Sequence, residues 1–96
     1  MEIKISTGKV ARDYEVIDTI FAMDSHKEGV WKVADPNRAF EGVKKTLKDK
    51  CRELGGDAIQ DCQFEYRVAV SEGMLGKKQI IEIFAYGTVV KSFNRR

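Results

Sequence analysis

Apolar residues at positions 40, 43, 47, 51 and 54 recur at three-and-four spacing, which places Phe40, Val43, Leu47, Cys51 and Leu54 on one face of a helix. Ala39 widens that stripe. Glu41, Lys44, Lys45, Lys48, Asp49, Arg52 and Glu53 fall mostly on the other side and read as its solvated face. Asp35 can cap the first turn, and Pro36 suits the first helical position. Gly55 supplies the left-handed stop, and Gly56 follows it. The pattern predicts a helix over residues 36–54.

Elsewhere the period drops to two. Residues 2–6 alternate, with Ile3 and Ile5 on one side, and predict a short strand before the turn Thr7-Gly8-Lys9. Residues 14–23 are rich in β-branched and aromatic side chains. As a regular strand they put Tyr14, Val16 and Ile20 on one face and Ile17, Phe21 and Met23 on the other. Residues 24–33 have no period and read as a loop with a short extended piece around Val30 to Val33; they hold His26 and Trp31. Residues 57–70 predict a strand with Cys62, Phe64, Tyr66, Val68 and Val70 on one face. A glycine-containing hairpin loop over residues 72–78 leads to the last strand, residues 79–92. There Ile81, Ile83, Ala85, Gly87 and Val89 share a face, and Ile80, Phe84, Tyr86 and Val90 appear on the other. Gly87 in mid-strand marks a bulge or a close backbone approach.

Strand, strand, helix, strand, strand is an α+β order: a small antiparallel sheet with one main helix packed on it. One helix covers one face. Two strands carry apolar residues on both faces, so the second face or an edge is expected to meet another copy of the chain.

Composition narrows the function classes. Ninety-six residues make a single domain, 1–96, and an apolar fraction of 43%, ordinary for a globular protein, argues against disorder. A formal net charge of +2 gives no electrostatic case for nucleic acid. The basic helix residues Lys44, Lys45, Lys48 and Arg52 are interrupted by acids, and no phosphate loop or aromatic RNA-binding strand motif is present. No apolar run reaches the ~20 residues of a membrane span. The first residues lack the order of an export signal, so the expectation is a cytoplasmic protein with no membrane partner.

The order of motifs resembles a family. Leu54-Gly55-Gly56-Asp57-Ala58-Ile59, then Phe64-Glu65-Tyr66, Met74, and Gly87-Thr88-Val89-Val90-Lys91 follow the pattern of the small bacterial YbjQ-like proteins, often labelled heavy-metal-binding. Tyr14 after Thr7 and Gly8 fits it more weakly. Between the second strand and the helix this chain is shorter than the family pattern and lacks its glycine-rich loop. The resemblance implies an α+β chain of uncharacterised activity, assembled as a homo-oligomer, a pentamer, with sheets completed between subunits. A looser likeness, to the envelope-stress sensor lipoprotein of the Rcs system, implies an alternative: a protein–protein interaction module in stress signalling.

Candidate chemistry is thin. A metal site has His26 and Cys62 as its weak candidates, with Cys51, Met74, Asp57, Asp61 and Glu65 as further donors. There is one histidine, and no CxxC or HxxxH pair, whereas a structural zinc site wants four ligands. Both cysteines fall on apolar faces and read as small core residues. Asp57, Asp61 and Glu65 read as an acidic row on one strand face, solvated or paired across the sheet. His26 has no visible catalytic partner, so no enzyme is expected; the cofactor stays open, with a divalent metal or a small ligand at subunit boundaries as the candidates. Trp31 reads as an anchor at a contact between subunits, with part of a ligand pocket as the alternative.

Overall fold

The computed structural model describes residues 2–27, 36–73 and 76–93. Trp31, the Asp35 cap and Met74 lie outside them. The elements are β1 (Lys4–Ile5), β2 (Tyr14–Lys27), α1 (Pro36–Glu53), β3 (Ala58–Gly73) and β4 (Gly76–Ser92). The strands form one four-stranded sheet in the order β1-β3-β4-β2. The α+β reading stands, with one helix on one sheet. The sheet is mixed rather than wholly antiparallel, because β1 joins β3 in parallel.

The helix ends as its glycines dictate. Gly55 has φ 80°. Its N–H donates to the Arg52 carbonyl at 3.0 Å, and that of Gly56 to the Cys51 carbonyl at 3.0 Å. This crossed pair is the Schellman closure. Gly56 is needed for space as well: a Cβ there would stand 2.2 Å from Val89 Cγ1 and 3.1 Å from the Val90 carbonyl oxygen. The chain therefore leaves the helix in contact with β4 and enters β3 at once, with the Asp57 N–H donating to the Val90 carbonyl.

The core lies between α1 and one sheet face. Ala39, Val43, Leu47 and Cys51 pack from the helix against Ile20, Ala22, Ile59, Cys62, Ile83, Ala85 and Val89. Phe40 meets Phe64 with ring centroids 4.9 Å apart. Gly87 is the close approach: an added Cβ would lie 2.8 Å from Ile59 Cγ2 and 3.2 Å from Cys62 Cβ. The register breaks lie on its partner strands, between Val16 and Asp18 and between Gln60 and Gln63.

Those breaks change the face assignments. An extra residue in β2 shifts the alternation, so Ile17 and Ile20 both serve the core, while Val16, Phe21 and Met23 share the opposite face. β2 also runs on through residues 24–27, read from sequence as loop, because β4 is long enough to pair with them as far as Lys27↔Ile80. The hairpin is correspondingly tighter: Glu72 and Lys77 pair within the strands, and Gly73 faces Gly76 across the turn. The β3–β4 pair outruns the helix and gives the molecule a long axis of 61 Å against 20 and 17 Å. Along that arm Tyr66, Val68 and Val70 occupy the helix-side face, as their alternation predicts, yet they are exposed because the helix does not reach them.

Candidate functional site

The two thiols are core groups. Cys51, on the helix stripe, and Cys62, on β3, are both free and fully buried. Burial pushes the Cys62 thiol up. It does the same to Cys51, helped by the nearby Asp57 charge and opposed by Arg52. The one polar contact of Cys51 is weak, with Sγ 3.8 Å from the Ala58 carbonyl oxygen. Reactive or metal-binding cysteines need the opposite surroundings, open and electropositive.

His26 lies near the end of β2, opposite Ile81. Cys62 lies at the bulge of β3, where the next residue, Gln63, pairs with Tyr86. Five residues of β4 separate those two registers, about 17 Å of strand. The structure thus does not bring the two metal candidates together within one chain. Among the described residues, no three His, Cys, Asp or Glu side chains gather into a group that could hold a metal ion.

The acidic row is broken by the same bulge. Asp57 stands before β3, where its carboxylate accepts the Ser92 N–H at 3.0 Å and the Ser92 hydroxyl at 3.4 Å. Asp61 has φ 51°, a left-handed conformation that non-glycine residues seldom adopt. Its carboxylate pairs with Lys9 at 2.6 Å. Only Glu65 remains in regular strand, opposite Phe84. The basic helix face is largely self-neutralised. Lys44 pairs with Glu41, and Lys45 and Arg52 both reach Asp49. The hydrogen bond from Lys45 holds the Asp49 carboxyl below its usual range.

Two surfaces remain. The first is the sheet face away from the helix. The cross-strand register sets Phe21 opposite Tyr86, and Met23 opposite Phe84. The Phe21 and Phe84 rings lie 6.4 Å apart. Phe21, Met23 and Tyr86 are each about half exposed (53%, 56% and 48%), and Val16 extends the patch. No described element covers it.

The second is a cleft of about 530 Å³ at the base of the sheet, lined by Lys4, Ser6, Lys9, Val10, Arg12 and Ser92, among others. Its wall is the segment after β1, which is fastened to the β3 bulge. Ser6 N–H donates to the Ile59 carbonyl, Cys62 N–H to the Ser6 carbonyl, and Asp61 N–H to the Gly8 carbonyl, each at 2.9 Å. Val10 N–H donates to Oε1 of Gln60, a buried polar side chain. Sequence reasoning missed this cleft. The turn Thr7-Gly8-Lys9 was visible, but its docking on Asp61, 52 positions after Lys9, depends on a parallel pairing that no local pattern encodes.

The structure therefore defines a class: a small α+β protein with one helix on a mixed sheet, a bare aromatic outer face and a basal cleft. Compared with known sequence families and with curated proteins, the chain matches none. Among solved structures it is similar to a protein of unknown function from Pediococcus pentosaceus, which belongs to the DUF74 family. The two share a TM-score of 0.75 at 23% identity, over 93% of this chain and 96% of that one. The likeness shows the fold. No helix is long and apolar enough to cross a membrane among the described residues.

Proposed function

We propose that this chain is the subunit of a homo-oligomer of the YbjQ-like type, and that its work is done by the assembly rather than by a catalytic centre in one chain. The observation that carries this is the uncovered patch of Phe21, Met23, Phe84 and Tyr86 on the sheet face opposite the helix. Neighbouring aromatic and methionine side chains on one exposed face mark a contact surface more often than a solvated one. The exposed Tyr66, Val68 and Val70 on the arm extend the same argument to a second surface. An assembly using both would bury them without enlarging the helix. The motif order read from the sequence, together with a fold shared with a DUF74 protein, supports the YbjQ-like reading and with it a ring, of five copies by resemblance. Cytoplasmic residence belongs to the same reading.

The heavy-metal label finds little support in one chain. Cys62 is sealed in the core, so it cannot serve a site between subunits. A metal reading is left with His26, repeated by symmetry, and with carboxylates from neighbouring copies. Any metal bound by the assembly is proposed to lie where copies meet.

Native mass spectrometry before and after chelation tests this reading. The expected result is one defined oligomer that survives chelation. Phe21→Lys should convert it to a folded monomer, with far-UV circular dichroism unchanged. A wild-type monomer at micromolar concentration would overturn the assembly and turn attention to a different protein partner. An oligomer that loses stoichiometric metal and falls apart on chelation would restore the metal reading.

A further inference from the structure

We infer that the basal cleft is a binding site for a small molecule carrying a carboxylate or phosphate group on a short apolar body. This inference does not rest on the assembly proposed above. Its volume of about 530 Å³ is that of a small-molecule site.

The lining charges sort themselves. Lys9 is engaged by Asp61, and Asp57 is turned onto Ser92. Among the described residues, Lys4 and Arg12 have no ion-pair partner, and the carboxylates that line the cleft with them are Glu2 and Asp57, the latter hydrogen-bonded to Ser92. Both cations are exposed. Lys4 alternates with Ile3, which is buried in the core, so it projects on the side of the sheet away from the helix. The Ser6 hydroxyl oxygen accepts the Gly8 N–H at 3.0 Å, which leaves its proton to donate. Val10, Ala11 and Ala58 add apolar wall. An Arg guanidinium with a Lys ammonium and a hydroxyl donor beside it is the chemistry of oxyanion recognition.

The second argument is rigidity. A loop that merely covered the end of the sheet would not need a left-handed aspartate to hold it. Here Asp61, at φ 51°, gives its N–H to Gly8 and its carboxylate to Lys9, while Gln60 spends a buried amide on Val10. Strain of this kind persists where the surroundings over-determine it, and it clusters at ligand clamps. The wall carrying Arg12 is thus held in place before any ligand arrives, which lowers the ordering cost of binding.

The test is a ¹⁵N chemical-shift titration of the full chain with inorganic phosphate and with succinate, at constant ionic strength. Saturable shifts by about 10 mM, confined to residues 4–12, 58 and 92, are expected for at least one probe. Phosphate alone saturating would identify a phosphoryl ligand; succinate alone would identify a carboxylate. The double variant Lys4→Glu with Arg12→Glu should weaken binding about tenfold or more, because charge-assisted hydrogen bonds are lost. The charge-matched Lys77→Glu with Lys78→Glu, at the hairpin, should leave it unchanged. Shifts that rise linearly with both probes, that spread over the helix lysines, or that survive the double variant would overturn the site.

Discussion

The β3–β4 hairpin is one continuous element in two different situations. Its base lies under the helix, where Ile59, Cys62, Ala85 and Val89 are sealed from water. Its arm carries the same alternation outward into Tyr66, Val68 and Val70, which are left exposed. Sequence pattern is identical in kind along both halves. What differs is only whether a helix lies opposite, and that is set by how far the helix runs back toward Pro36 from its Gly55–Gly56 anchor at the base. The base is thus specified by packing within one chain, whereas the arm keeps apolar side chains that no described element buries.

Glycine substitutions should separate the two halves most sharply. Gly56→Val must drive side-chain carbons into Val89 and the Val90 carbonyl, both backed by the core, so nothing flexible can yield. We expect a loss of about 3 kcal/mol or more, or failure to fold, since overpacking of a tight site is among the few changes that large. Gly73→Ala, on the arm, meets nothing within 4 Å and has no positive φ. It should change stability by less than about 0.5 kcal/mol. Chemical denaturation of both variants checks the contrast. Equal effects would mean that the arm is packed as tightly as the base.

The thiols come next. Cys51→Ala should cost about 1 kcal/mol or more, as removal of a buried sulfur leaves a small cavity. Because both thiols are held neutral by burial, their folded pKa values lie above the ordinary 9.0. The sign follows from linkage. Below pH 9 both states carry the proton and the contribution is fully present; above it the unfolded chain releases protons first, so stability falls as pH rises. Thiol labelling of the native protein at pH 8 should proceed at the rate of unfolding. Rapid labelling of either cysteine would show an open thiol and revive Cys62 as a metal donor.

The same contrast explains what could be read in advance. The helix stripe as far as Cys51, the Pro36 start, the glycine stop and the immediate strand after it are local signals and lie where the sequence placed them, whereas Leu54, read as the end of the stripe, falls past Glu53 in the turn and is exposed. The bulges at Ile17 and Asp61 are not local. They arise where β2 and β3 must accommodate β4 and the segment after β1, and each flips the faces beyond it. Ile20 therefore moved to the core, and the acidic row of Asp57, Asp61 and Glu65 came apart. The strand at residues 24–27 was hidden because its pairing is supplied by the length of β4, not by its own composition. The cleft was hidden for a like reason, being made by residues near Lys9 and near Asp61 that meet only through the parallel β1–β3 pair.

The smallest expected effect probes that junction. Asp61 carries two opposing contributions: a left-handed backbone that costs about 1 kcal/mol for a residue with a Cβ, and an exposed ion pair with Lys9 that solvent largely screens. Asp61→Gly relieves the first and loses the second, while glycine also adds freedom to the unfolded chain. These offset one another, and the net change should fall within about 0.5 kcal/mol. Asp61→Ala keeps the strained backbone and loses the ion pair together with the local tolerance of aspartate for this conformation, so it should be the less stable of the two. The order, alanine below glycine, is what thermal denaturation must return. The reverse order would mean that position 61 does not hold a strained left-handed backbone, and the rigidity argued for the site would lose that support.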